Sequence, residues 1–507
     1  MKPRYDLRGQ WRGRVCGVVR VHLFGSRAGL RLLVATSVVG FAVAFASCGG
    51  AVTTTVGPLS TTTLFSAPTT ASPSTVPGST LSTTPSTTTP SGSAGDWSAY
   101  YHDAARSGVS SDQLPLGKVR QAWASAQLDG ALYAQPLVVG DRVVVATEAN
   151  SVYALDAASG ATVWRATLGP PVPGNLLPCG NIDPSGITGT PVVDVSAGTI
   201  FVVANLRTGP HHELFALDLA TGVVRWHHAI DPPGLSPLVE QERGALALVG
   251  GRVYVPFGGL YGDCGQYRGA VVSAAADGSG ALSSYVVPTS RMAGIWNPAG
   301  PVVDSSGDLW VTTGNSESQS SFDFGDAVIH LSPQLAVRDY FAPGDWPALN
   351  AGDVDLGSLG PVLLPNNRVL AVGKSGIAYL LDSGNLGHVG GQLASVQIGS
   401  GAFGAAAIMG STAYVPSSDA LVAVRVVGNG LSVLWRLSGG AGPPIVAAGE
   451  VWSLKHDGKL VAVDPETGTV RFTTQLTRPV SQFFSLAAAG GRIFVADGMK
   501  ITAFSLR

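Results

Sequence analysis

Cys179 and Cys264 are the only thiols beyond residue 48, and they fall in loops 85 residues apart. Two cysteines in an otherwise thiol-free exported domain predict a disulfide. A loop of that length would stabilise the fold by about 4 kcal/mol in the chain-entropy model. His211-His212 and His227-His228 invite a metal reading. Adjacent residues on a strand point to opposite faces, however, so neither pair chelates an ion alone and solvated imidazoles are expected. Gly373-Lys374-Ser375 hints at a phosphate loop, but that motif needs glycine at position 368, which is Arg. No G-x-S-x-G or H-E-x-x-H signature is present.

The elements that would position such residues begin with an export signal. Residues 1–47 hold eight Lys/Arg against one acid, and the uncharged run Leu32–Ser47 leads into Cys48-Gly49-Gly50. A basic stretch, a short apolar stretch and small residues at the cut describe a secretory signal. Phe45-Ala46-Ser47-Cys48 resembles a bacterial lipobox, which implies lipidation of Cys48 and an anchor in the cell membrane. The run of 16 residues is shorter than the ~20 that a membrane span needs. Residues 49–95 carry no charge and contain 15 Thr, 9 Ser and 6 Pro. Such a segment buries too little apolar surface to offset its chain entropy, so residues 48–95 read as a stalk reaching at most about 140 Å. Beyond residue 47 there are 23 basic and 32 acidic residues. An acidic body repels phosphate backbones and excludes nucleic acid as a partner.

From Asp96 onward short apolar runs alternate with Gly, Asp and Asn, and no long 3.6-residue period appears, so residues 96–507 read as all-β. Strands are predicted at Arg142–Thr147, Thr199–Ala204, Arg252–Val255, Leu309–Thr313, Arg368–Val372 and Arg492–Ala496. A repeat is visible: Val152–Gly160 is followed by Trp164, Leu214–Gly222 by Trp226, and Leu460–Gly468 by Phe472. In each, an alternating strand ends at Asp, whose carboxylate can take turn N–H groups while Gly adopts the left-handed position. The chain returns carrying a large aromatic that should pack between neighbouring sheets. One four-stranded unit cannot bury both its faces, but units set radially can, which is a propeller. Seven units begin near Tyr133, Ile187, Gly244, Ile295, Gly357, Gly404 and Gly442. An eighth, Phe484–Leu506, has room for three strands, and Val119–Trp123 looks like its missing fourth. Eight blades are therefore expected, with seven as the alternative.

These units resemble the pyrroloquinoline quinone (PQQ) repeats of quinoprotein alcohol dehydrogenase-like propellers, over about Trp97 to Arg507. Tyr101–Gly108 looks like the family's lead-in to the first blade. Trp296, Pro301–Asp304, Thr312–Asn315, Asp353–Ser358 and Gly373–Gly376 look like its middle section. The resemblance implies Asn315 as a calcium ligand, Asp353 or Asp355 as the catalytic carboxylate, and Lys374 with Trp296 against the quinone. Calcium wants oxygen donors, and the ion polarises the quinone while a carboxylate takes the alcohol proton.

The chain also departs from that pattern. Where the family has a calcium-binding Glu four residues before Arg-Gly, this chain has Cys264, with Asp263 beside it as a substitute ligand. It has no adjacent cysteine pair and no C-x-x-C-H motif. Taken alone, Asn315 reads as a turn residue, Asp353 and Asp355 as acceptors of loop N–H groups, and Lys374 as a solvated hairpin residue. The sequence thus leads to the expectation of a monomeric, exported, non-catalytic scaffold of the cell envelope. It would hold a protein, peptide or glycan without needing PQQ or calcium. A PQQ- and calcium-dependent alcohol or sugar dehydrogenase is the alternative, and an envelope assembly factor the second.

Overall fold

A computed structural model describes residues 95–507 except 113, 210, 477–482 and 485. The expected signal segment, Cys48 and nearly all of the stalk lie outside the described residues. Among the described residues no helix is long and apolar enough to cross a membrane.

The strands form eight sheets of four or five strands, one per blade and antiparallel but for His388–Val389, which pairs parallel with Val337–Ala342; this settles eight over seven. The predicted strands are present with small changes at their ends, among them Arg142–Ala146, Thr199–Leu206, Arg252–Gly259 and Leu309–Thr312. Blades 3 and 4 carry a fifth strand each, Glu240–Gln241 and His388–Val389. The last blade is closed by Arg120–Ala124, which pairs antiparallel with Ile501–Ser505, bringing Gln121 opposite Phe504 and Trp123 opposite Ala503.

The repeat unit works as its residues suggest. Asp156, Asp218 and Asp464 each accept the N–H of the residue three positions on, at 2.8, 2.9 and 2.9 Å. The outer-strand tryptophan then docks on the turn of the next blade. Trp123, Trp164 and Trp435 donate their indole N–H to Ala157, Leu219 and Pro465 carbonyls at 3.1, 3.1 and 2.9 Å. Each ring lies flat on the turn glycine. A Cβ added to Gly222, where φ is +73°, would sit 2.5 Å from the Trp164 ring. Only glycine meets both the backbone and the space requirement there.

The lead-in segment acts as a hub across blades far apart in sequence. The backbones of Ser98, Ala104, Ser107 and Gly108 accept N–H groups from Val193, Val303, Ile408 and Val446. The buried Arg106 guanidinium donates to the carbonyls of Tyr100, Leu246, Ala299 and Pro301. Four neutral acceptors spread the charge of a group that has no water to solvate it.

One element escaped the sequence reading. Helix α1, Trp346–Gly352, is too short to show a period, and it buries Trp346, Leu349 and Asn350. Asp353 caps it in the left-handed conformation, donating its N–H to the Leu349 carbonyl. A 3-10 turn, Leu356–Ser358, follows directly. The two carboxylates of interest therefore sit on the short link between two helical turns.

Candidate functional site

That link, together with loops of blades 3 to 5, gathers most of the residues singled out in sequence. The Lys374 ammonium bonds the Asp355 carboxylate at 2.8 Å and the Asp353 carboxylate at 2.9 Å. Asp355 is 4% exposed, and its other oxygen accepts the Asn315 N–H at 2.9 Å. Trp296 lies alongside: Lys374 Nζ is 5.7 Å from its ring centroid. A Cβ on Gly314 would stand 2.9 Å from the Trp296 indole nitrogen and 3.2 Å from the Asp355 carboxyl carbon, so glycine lets the two approach.

Burial pushes the Asp355 carboxyl above its ordinary value, and Lys374 counters this only in part. Burial would also push Lys374 down, but Asp355 and Asp353 outweigh it and keep the ammonium charged. Asp326, fully buried, is pushed well up by burial and by the Asp355 charge; its Oδ2 has no hydrogen-bond partner among the described residues.

The structure adds residues that sequence reasoning missed. A small, open pocket lies over Trp296, lined by Tyr133, Thr188, Arg243 and Phe483. The Arg243 guanidinium lies 5.9 Å from the Trp296 centroid and 5.5 Å from that of Phe483. Phe403 meets Phe483 edge-on at 6.0 Å. Behind the cavity wall two carboxyls are buried. Glu148 accepts Thr188 Oγ1 at 2.9 Å and the Gly186 N–H at 2.6 Å, and burial raises it to about 7. Glu242 is pushed well above its ordinary value by burial and by Glu148. The run Glu240-Gln241-Glu242-Arg243, dense in charge for a chain with 13% charged residues, was the available signal.

One Asp263 carboxylate oxygen accepts the Tyr267 hydroxyl at 2.8 Å. Its neighbour Cys264 forms the expected disulfide with Cys179, with Cα atoms 6.2 Å apart.

The residues fit a planar anionic quinone. Trp296 offers a flat apolar face at the pocket that Arg243 also lines, and the Lys374 ammonium stands beside the same indole. They do not fit the calcium set implied by resemblance. The position of the third carboxylate is a disulfide cysteine, and the Lys374 ammonium already sits on Asp355 where a second cation would have to bind.

A family model of PQQ repeats, described as "Outer membrane protein assembly factor BamB", matches residues 115–330 and 390–507. Polyvinylalcohol dehydrogenase of Sphingopyxis sp. (strain 113P3) is 27% identical over 386 residues, 64% of this chain and 54% of that protein. The protein of the same name from Pseudomonas sp is 26% identical over 327 residues, 56% of this chain and 47% of that protein. The chain thus spans about half the length of the curated relatives it matches. Among solved structures, a europium-containing methanol dehydrogenase superposes with a TM-score of 0.62 at 15% identity, covering 82% of this chain and 98% of that one, which shows the shared fold. Relatives named as dehydrogenases overturn the expectation of a non-catalytic scaffold. The departures from the family pattern touch the metal set and leave the contacts among Trp296, Lys374 and Asp355 in place. With the repeats, the eight blades and the matched residues in agreement, the chain belongs to the PQQ-repeat family of β-propeller proteins.

Proposed function

We propose that the protein is a quinone-dependent alcohol dehydrogenase whose reaction takes place over Trp296. The observation that carries this reading is the buried Asp355–Lys374 pair beside an indole that also faces Arg243. A bound pyrroloquinoline quinone would accept the two electrons released when an alcohol becomes a carbonyl compound. Trp296 supports the ring by stacking, and Lys374 and Arg243 balance its negative charge in a site of low dielectric. Asp355 is placed to take the hydroxyl proton of the alcohol, and its raised affinity for a proton suits that task. Phe403 and Phe483 keep the mouth apolar and limit water. The first substrates to test are secondary alcohols and their polymers, since two relatives are named for polyvinyl alcohol.

The same reading puts the protein outside the cytoplasm, supported by the basic-then-apolar leader and by a disulfide that a reducing compartment would not keep. Its finer part is a lipid anchor on Cys48, followed by the stalk of residues 48–95 and the propeller of residues 96–507. Loss of radiolabelled-lipid incorporation in Cys48→Ala would support the anchor.

The test of activity is direct. The purified chain is titrated with pyrroloquinoline quinone while tryptophan fluorescence is followed, and dye-linked alcohol oxidation is then measured. Saturable quenching at micromolar quinone, weakened at least tenfold by Lys374→Ala or Arg243→Ala, is expected. Absence of binding, or binding with no alcohol-dependent dye reduction for any alcohol tried, would overturn the proposal.

A further inference from the structure

The pocket over Trp296 presents one cation and one hydroxyl that the dehydrogenase reading leaves half explained. The half-buried Arg243 guanidinium packs against the Trp296 and Phe483 rings. Among the described residues no carboxylate or carbonyl pairs with it. A guanidinium with no counter-charge favours an anion, and its planar fork of donors fits a carboxylate. Thr188 lines the same pocket. Its hydroxyl donates to Glu148 Oε1 at 2.9 Å, and the two residues are 6% and 1% exposed. Glu148 Oε2 accepts the Gly186 N–H at 2.6 Å.

A threonine hydroxyl has one hydrogen and can point it one way only. Ionised Glu148 can only accept, so the Thr188 hydrogen points at it and away from the pocket. Once Glu148 takes a proton, the contact reverses. The Gly186 N–H holds Oε2 as an acceptor, which leaves Oε1 to carry the proton and donate it to Thr188 Oγ1. The threonine hydrogen is then released toward the pocket that Arg243 lines. Protonation also removes a negative charge from the wall behind a bound anion. Burial raises the Glu148 carboxyl to about 7, so both states are populated near neutral pH. The other ionisable groups facing Glu148 are Arg243, Tyr133, Glu242, Asp129 and Asp183. Burial keeps Tyr133 and Glu242 in their neutral forms. Asp129 pairs with Arg165, and Asp183 accepts the Gly174 N–H.

We propose that Arg243 and Thr188 form a carboxylate-binding corner of this pocket, and that Glu148 opens it by taking up a proton and turning the Thr188 hydroxyl toward the ligand. The inference rests on the reading of the pocket as the seat of an anionic quinone, and adds a proton that enters with the ligand. Linkage makes the coupling mutual: a bound carboxylate favours the protonated acid, and the protonated acid favours the bound carboxylate. Binding is therefore tightest below about pH 7 and weakens as pH rises through that value. Thr188 is a positioning residue that relays the state of Glu148.

The experiment measures binding of two probes to the purified full chain. Pyrroloquinoline quinone is followed by tryptophan fluorescence. Trimesate, a planar aromatic tricarboxylate without a quinone, is followed by calorimetry. The affinity of the parent should fall about tenfold from about pH 6 to about pH 8. Heats in buffers of different ionisation enthalpy should show net proton uptake near pH 7. In Glu148→Gln the amide donates to Thr188 permanently while its oxygen keeps the Gly186 N–H, so binding should stay tight throughout and take up no proton. Thr188→Val keeps the shape without the hydroxyl. It should bind about tenfold more weakly than the parent at about pH 6 and lose most of the pH dependence. Native circular dichroism checks both variants. Quinone that fails to bind while trimesate shows this pattern would sink the dehydrogenase reading alone. Quinone that binds with an affinity independent of pH would overturn the proton link alone. An affinity in Glu148→Gln that still falls with pH, Thr188→Val as tight as the parent at about pH 6, or binding of neither probe would also overturn it.

Discussion

The sharpest test of the site is Asp355→Asn. Asparagine keeps the shape and the acceptor for the Asn315 N–H, now 2.9 Å away, and removes the charge and the proton affinity. Breaking a buried ion pair usually costs about 3–5 kcal/mol because it strands the surviving charge. Here the survivor is not stranded: Lys374 remains 2.9 Å from Asp353. The other side of the balance favours the variant. The folded-state affinity of Asp355 for a proton is raised by burial, so its ionised form opposes folding at neutral pH. That contribution to stability is present below the ordinary carboxylate value and is lost as pH rises through the raised one. The two effects oppose, and the net stability change should stay within about 1–2 kcal/mol. Turnover, by contrast, should fall by about 10²–10⁴, the usual contribution of a positioned general base. Urea unfolding and dye-linked alcohol oxidation on the same preparation read both quantities. A variant that unfolds readily would show Asp355 to be a structural ion-pair partner. One that keeps turnover within tenfold of the parent would remove it from the chemistry.

Three further outcomes are expected. Glu148 has a folded-state value of about 7 against an ordinary 4.5, so its contribution to stability is full below about 4.5 and lost as pH rises through about 7. Glu148→Gln should flatten the stability–pH curve in that window by about 3 kcal/mol, as read by urea melts from pH 4 to pH 8. Gly222→Ala forces a left-handed alanine and a displaced Trp164, and should cost about 2–4 kcal/mol; an unchanged melting temperature would contradict the docking described for the indole. Reducing Cys179–Cys264, which closes a separation of 85 residues, should lower stability by about 4–5 kcal/mol in the chain-entropy model, measured by denaturant melts with and without reductant.

The ring was legible in sequence because each blade repeats the same local rule. Asp156 and Gly160 define the turn, Trp164 defines the return strand, and Val119–Trp123 has an outer-strand character that makes sense only as a closing strand. The site was legible only in part. Trp296, Asn315, Asp355 and Lys374 could be proposed because the family resemblance fixes their order along the chain. Arg243, Glu148, Phe483 and Phe403 come from different blades and meet only because the sheets are arranged radially, and no local period encodes that meeting. Likewise the face alternation that ruled out each histidine pair as a chelator left open that one member of each, His211 and His227, would lie on opposite oxygens of Glu213.

The closing strand bears on how a newly made chain becomes a finished one. Arg120–Ala124 leaves the ribosome before any blade, yet its partner Ile501–Ser505 is among the last segments synthesised. Throughout that interval the growing arc ends in two unpaired sheet edges, which are templates for pairing with other chains. The hub residues Ser107 and Gly108 wait similarly for the strands that contain Ile408 and Val446. Premature termination anywhere in the last blade would therefore leave an open crescent prone to join its neighbours, rather than a smaller ring.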